Sequence, residues 1–97
     1  MAIAVVQEWP GDVSDRSTTN YDALTERLQA QGPIDGRLVH TAGFFGGGFR
    51  IFEVWESEEQ YRAFLRDRFL PLLADVTAAG APQPQTDVYE LHAVQIP

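Results

Sequence analysis

His40 and Glu53 are the two residues of this chain best suited to acid–base chemistry. An imidazole titrates near neutrality, and a carboxylate beside it would fix its tautomer. Both fall in strand-like runs, Arg37–Phe45 and Phe49–Trp55, which flank three consecutive glycines, Gly46, Gly47 and Gly48. Glycine reaches positive φ without steric cost, so the stretch reads as a β-hairpin. With Gly46-Gly47 as a two-residue turn, Phe44 faces Phe49, Ala42 faces Ile51, His40 faces Glu53 and Leu38 faces Trp55. The ionisable pair then stands alone on an otherwise apolar face. An odd-sized loop would instead set His40 on the face of Val54. The plainer reading of the pair is a satisfied polar contact inside the hairpin or in an interface.

Other candidates are fewer. His92, near the end of the last strand-like run, is a second choice for ligand contact. Trp9, Trp55, Tyr21, Tyr61, Phe64 and Tyr89 could line a pocket for a flat apolar ligand. An aromatic stripe at helical spacing is more often plain core, which is the first expectation for Tyr61 and Phe64. The two histidines sit on different strands and form no HxH or HExxH pattern, so no metal site is expected. Ser14, Ser17 and Ser57 lack a nucleophile elbow, and the triple glycine lacks the strand–helix setting of a phosphate loop.

Composition excludes much else. The 97 residues suit one small domain, close to the size at which a single core barely suffices. Cysteine and lysine are both absent, which removes disulfides, thiolate ligands, a cysteine nucleophile and Schiff-base chemistry. A net charge of −7 disfavours nucleic acid and anionic membrane surfaces as partners. The opening MAIAVVQEWP has no basic region and only a short apolar run, so no signal peptide or membrane span is read and a cytoplasmic protein is expected.

The elements that must position these residues can be read in turn. Ala2–Trp9 is a first strand, apolar on both alternations and therefore covered on both faces. After a polar connection at Gly11–Thr19, capping residues at Thr18 and Thr19 open a helix running to Gln31, ended by Gly32-Pro33. Beyond the hairpin, Ser57 with Gln60 three residues on forms a capping box. The helix it opens carries Tyr61, Phe64, Leu65, Phe69, Leu72, Leu73 and Val76 at spacings of three and four. Pro71 predicts a kink or break near Phe69–Leu70. Arg62, Arg66 and Arg68 read as a mostly solvated face, with Glu58 placed to pair with Arg62. Gly80–Pro84 is a stiff exit loop, and Thr86–Ile96 a last strand, again apolar on both alternations.

The order β-α-β-β-α-β predicts an α+β domain: an antiparallel sheet in spatial order 4-1-3-2, with both helices on one face. Two helices cover one face only. Strands that are apolar on both alternations leave the other face for a partner, and a symmetric dimer packed sheet to sheet is the economical solution.

The segments MAIAVVQEW, LVHTAG and FRIFEVWESEEQYRAF resemble small bacterial proteins of the dimeric α+β barrel superfamily, over essentially the whole chain. That superfamily includes antibiotic-biosynthesis-monooxygenase-like and stress-responsive A/B barrel proteins. The resemblance implies ferredoxin-like protomers paired into an eight-stranded barrel, each with a ligand cavity between helices and sheet. It also implies a range of activities: cofactor-free oxidation of aromatic polyketides, haem degradation, lactone isomerisation, or none known. Gln7 and Trp55 are similar in place to an amide and a tryptophan of the haem-degrading members. Those members carry an iron-binding histidine on the second helix, and residues 57–79 contain none, so haem degradation is disfavoured. The leading expectation is a homodimeric, cofactor-free monooxygenase, isomerase or cyclase for a small hydrophobic or aromatic ligand. His40 and Glu53 would do the chemistry, and Gln7, Trp9, Tyr21, Trp55, Tyr61, Phe64 and His92 would contact the ligand. The rival is a non-catalytic dimeric binding or stress-responsive protein.

Overall fold

A computed structural model describes residues 1–10, 18–76 and 83–97. Most of the connection expected at Gly11–Thr19, the stretch expected after Val76 and part of the expected exit loop lie outside the described residues. The elements are β1 (Ile3–Pro10), α1 (Thr19–Ala30), β2 (Arg37–Phe45), β3 (Gly48–Trp55), α2 (Glu58–Phe64), a π-helical turn (Leu65–Phe69), α3 (Leu70–Val76) and β4 (Gln85–Glu90). The four strands form one antiparallel sheet in the order β2-β3-β1-β4, the order expected from the chain.

The hairpin pairs as its simplest register requires, with Phe44 opposite Phe49, Ala42 opposite Ile51 and His40 opposite Glu53. It departs at both ends. At the turn, positive φ falls on Gly48 (148°) and not on Gly46 or Gly47. A Cβ on Gly48 would lie 2.0 Å from the backbone oxygen of Trp9, so the glycine is required where β1 closes on the hairpin. At the other end Leu38 is pushed out by a bulge, and Arg37 takes the place opposite Trp55 that was expected for Leu38. An extra residue in one strand reverses the facing of everything beyond it. Leu38 is consequently exposed, and Arg37 turns toward the helices.

Alternation then assigns the faces. Ile3, Val5, Gln7 and Trp9 of β1 share the helix side with Phe49, Ile51, Glu53 and Trp55 of β3. Ile3, Val5, Trp55, Leu28, Tyr61 and Phe64 form the buried core, with Ile34, Leu65, Phe69, Leu72 and Val88 packed around it. Val6, Val39, Phe52, Val54 and Tyr89 belong to the opposite face by the same alternation.

The second helix begins at the expected box: Ser57 Oγ accepts from the Gln60 N–H at 3.2 Å and donates to Gln60 Oε1 at 2.8 Å. Its break takes the form of a π turn that ends at Phe69, with the Leu70 N–H bonded to the Leu65 carbonyl. Pro71 has no N–H, and its ring would press on the carbonyl four residues back, at Asp67; a wider turn relieves that clash. The five-residue spacing also brings Phe64 and Phe69 together, with ring centroids 5.9 Å apart.

Two sequence expectations need correction. The last strand stops at Glu90, the Leu91 N–H to Ala2 carbonyl bond (2.9 Å) being the last backbone contact of its edge, so His92 lies beyond it. Arg68 is not part of a solvated face. Its guanidinium donates to the carbonyls of Leu28 (3.0 Å), Gly32 (2.9 Å) and Pro33 (2.7 Å) and to Gln31 Oε1 (3.0 Å). It thereby closes the C-terminus of α1, where unpaired carbonyls and the helix dipole favour a cation. Arg62 and Arg66 are exposed, paired with Glu58 and Asp67.

Two outcomes follow for stability. Arg68→Met keeps the apolar stem and removes the donors, and should cost about 1.5–3 kcal/mol, the range for hydrogen bonds to a charged group. Arg68→Lys should recover only part of this, since an ammonium cannot span the same fork of acceptors. Arg66→Met should leave the thermal melt unmoved, and equal effects at Arg66 and Arg68 would rule out the closing role of Arg68. Gly48→Ala should cost at least about 2 kcal/mol through its clash with Trp9, whereas Gly46→Ala meets open space and should shift stability by under about 0.5 kcal/mol. Denaturant unfolding of the two variants checks the contrast.

Candidate functional site

Between α1 and the helix side of the sheet lies a cavity of about 970 Å³. The second helix supplies Tyr61 and Phe64 to its wall, the π turn supplies Leu65 and Phe69, and the hairpin supplies Phe44, Phe49 and Ile51. A smaller space of about 380 Å³ adjoins it, sharing Gln7, Trp9, Tyr61, Leu65 and Phe69. Phe49 joins the aromatic wall together, with ring centroids 5.0 Å from Phe44, 5.7 Å from Tyr21 and 6.1 Å from Trp9.

One polar chain runs into this apolar surround. The Glu53 side chain is buried on β3. Its Oε1 accepts from the Trp55 indole N–H at 3.1 Å, and its Oε2 accepts from Arg37 at 3.3 Å and lies 2.5 Å from His40 Nδ1. His40 Nε2 is in turn 2.6 Å from the Tyr21 hydroxyl. A carboxylate only accepts, so Nδ1 of a neutral imidazole is its N–H and Nε2 is the acceptor for Tyr21. The Tyr21 and His40 ring planes lie within 6° of parallel, an orientation that lets the phenol meet the in-plane lone pair. The resulting order, hydroxyl to imidazole to carboxylate, is that of a proton relay.

Tyr21, His40, Glu53, Arg37, Gln7, Trp9, Tyr61 and Phe64 all line the cavity. Trp55 does not. It is 0% exposed, behind Tyr61 and Phe64 at 5.5 and 5.1 Å, and its polar link to the site is the bond to Glu53. His92 is exposed and lines neither space. Among the polar groups that reach the cavity with no hydrogen bond to another described residue are the Gln7 carboxamide and the Tyr61 hydroxyl. Burial, and after it the nearby Glu53 charge, push the Tyr61 hydroxyl above its ordinary value near 10, with Arg62 pulling the other way. Tyr61 therefore stays protonated at neutral pH and can donate to a ligand. Among the described residues no group of three His, Cys, Asp or Glu is placed to hold a metal ion, and no helix is long and apolar enough to cross a membrane.

Arg37 is the residue that sequence reasoning missed. Its approach to Glu53 depends on the bulge at Leu38, which has no glycine or proline to mark it. Arg68 did leave a trace, because it stands four residues after Phe64 and four before Leu72, on the apolar stripe.

No family model and no curated protein matches this chain. Solved structures do. Rv0793 from Mycobacterium tuberculosis aligns with a TM-score of 0.67 at 16% identity, over 97% of this chain and 98% of that one. A monooxygenase from the gene ActVA-Orf6 of Streptomyces coelicolor, solved with the ligand Nanaomycin D, aligns with a TM-score of 0.53 at 23% identity, over 99% and 91%. SnoaB from Streptomyces nogalater, a cofactor-independent oxygenase, aligns with a TM-score of 0.56 at 12% identity, over 96% and 93%. At such identities the likeness speaks for architecture alone: this chain has the ferredoxin-like α+β fold of the antibiotic-biosynthesis-monooxygenase-like proteins.

Proposed function

We propose that the protein is a cytoplasmic, homodimeric, cofactor-independent enzyme of monooxygenase, isomerase or cyclase type. Its ligand would be a small hydrophobic molecule, aromatic or polyketide-like. The observation that carries this reading is the Tyr21–His40–Glu53 chain opening into an aromatic-walled cavity of about 970 Å³. Such a cavity suits a flat ligand, and the monooxygenase aligned above was solved with one named molecule, Nanaomycin D, bound. The relay stands at one wall, and Gln7 and Tyr61 are among the groups that could orient a carbonyl or hydroxyl.

The chemistry asks for little beyond a base and a shaped pocket. A methylene flanked by aromatic rings and a carbonyl gives up a proton to the relay, leaving a stabilised carbanion. In an oxygenation that carbanion supplies the electrons to dioxygen, and the hydroperoxide formed loses water to leave a ketone. The methylene and one dioxygen thus become a carbonyl and one water. In an isomerisation the same proton returns to a different atom. Glu53 balances the charge that His40 takes up.

A non-catalytic binding protein is the second reading, favoured by the fact that both His40 nitrogens already have partners. Anthrone and dioxygen separate the two. For an enzyme, His40→Gln should reduce anthraquinone formation by about 10²–10⁴-fold while the variant stays folded. If His40 is structural, the same change should lower stability by about 1–3 kcal/mol and leave anthrone binding intact. A wild-type protein that binds anthrone without turning it over supports the second reading.

The dimer is tested by the other side of the sheet. Val6 and Phe52 lie there on adjacent strands, both half-buried, beside Tyr89, which is 49% exposed. Sedimentation at micromolar concentration should give a dimer, and Phe52→Asp should give a monomer that keeps its helical signal. A monomeric wild type would remove the basis for pairing through the sheet.

A further inference from the structure

We propose that Tyr21, and not His40, is the catalytic residue that exchanges protons with the ligand, His40 and Glu53 acting behind it. This rests on the cavity being the site. After Nδ1 is spent on Glu53, His40 has one nitrogen left, and that nitrogen is held by Tyr21 at 2.6 Å. The imidazole presents only carbon to an incoming molecule. The Tyr21 oxygen gives its proton to Nε2 and keeps lone pairs that can accept one. It is the outermost heteroatom of the chain, and Thr18, Thr19 and Asn20 beside it line the same cavity. Its ring is fixed from the side by the edge of Phe49, 5.7 Å away, so the hydroxyl is aimed before a ligand arrives.

The step balances without any added group. The ligand proton passes to the Tyr21 oxygen as the phenolic proton passes to Nε2, giving a ligand anion and an imidazolium that faces the Glu53 carboxylate. Reversal returns both protons. Tyr61 is not an alternative for this role, since it has no imidazole behind it and burial holds its proton in place.

An activated ester tests the relay without any knowledge of the substrate. With 4-nitrophenyl acetate, the Tyr21 oxygen would attack the acyl carbon, its proton would move to Nε2, and 4-nitrophenolate would leave, giving O-acetyltyrosine. Peptide mass spectrometry should find Tyr21 acetylated on the order of 10²-fold faster than Tyr89, a half-exposed tyrosine on the far side of the sheet. His40→Gln should bring Tyr21 down to the Tyr89 rate. Tyr21→Phe keeps the ring against Phe49, so a folded variant is expected, and it should lose the rapid release of 4-nitrophenolate. Equal labelling of Tyr21 and Tyr89, or rapid release that survives Tyr21→Phe, overturns the assignment; the latter would mean that His40 meets ligands directly. Rapid Tyr21 labelling in a protein that ignores anthrone would keep the relay and discard the aromatic substrate.

Discussion

A carboxylate inside an apolar layer is the constraint on which this structure turns. Glu53 is 6% exposed, on a strand whose neighbouring inward residues are Ile51 and Trp55. Left unpaired, such a charge would cost several kcal/mol of desolvation, and truncating a partner of a buried pair commonly costs about 3–5 kcal/mol. The fold answers with three donors from three directions: an indole two residues along the same strand, a guanidinium from beyond a bulge, and an imidazole directly across the ladder. Each donor fixes something else in turn. Trp55 anchors the core, Arg37 requires the bulge, and His40 carries the arrangement out to Tyr21.

This explains which parts of the site could be read from the residues alone. The His40–Glu53 contact follows from pairing across a hairpin, which depends on a turn and a two-residue alternation, both visible in the chain. The Ser57 box and the Pro71 break are equally local. The Tyr21 contact is another matter, since it depends on how α1 is rotated over the sheet. Packing decides that rotation, and the narrow stripe of Tyr21, Leu24 and Leu28 specifies it only loosely. Trp55 and His92 lie off the cavity for related reasons. Trp55 shares the cavity's face but sits deeper, because strand alternation gives a face and no depth. His92 was assigned to a strand on apolar alternation, although the edge of the sheet ends at Glu90.

Arg68 and the π turn show how the second helix serves the cavity from a distance. The widened turn lets Phe64 and Phe69 stack on the cavity wall and carries Arg68 to the end of α1. A single proline thus has effects on both helices. The turn is the local response to its missing donor, and the closing of α1 is the long-range one.

Helix α1 is therefore held unevenly. Its C-terminal end is gripped by one guanidinium at four acceptors, while at its start Thr18 gives its side chain to Asp22 and caps no backbone N–H. Tyr21 sits on that first turn, and its hydroxyl is tied to His40 across the cavity wall. The start of the helix is thus fastened to the sheet by the same contact that extends the polar chain from Glu53, so losing that contact would loosen the helix and shorten the chain together.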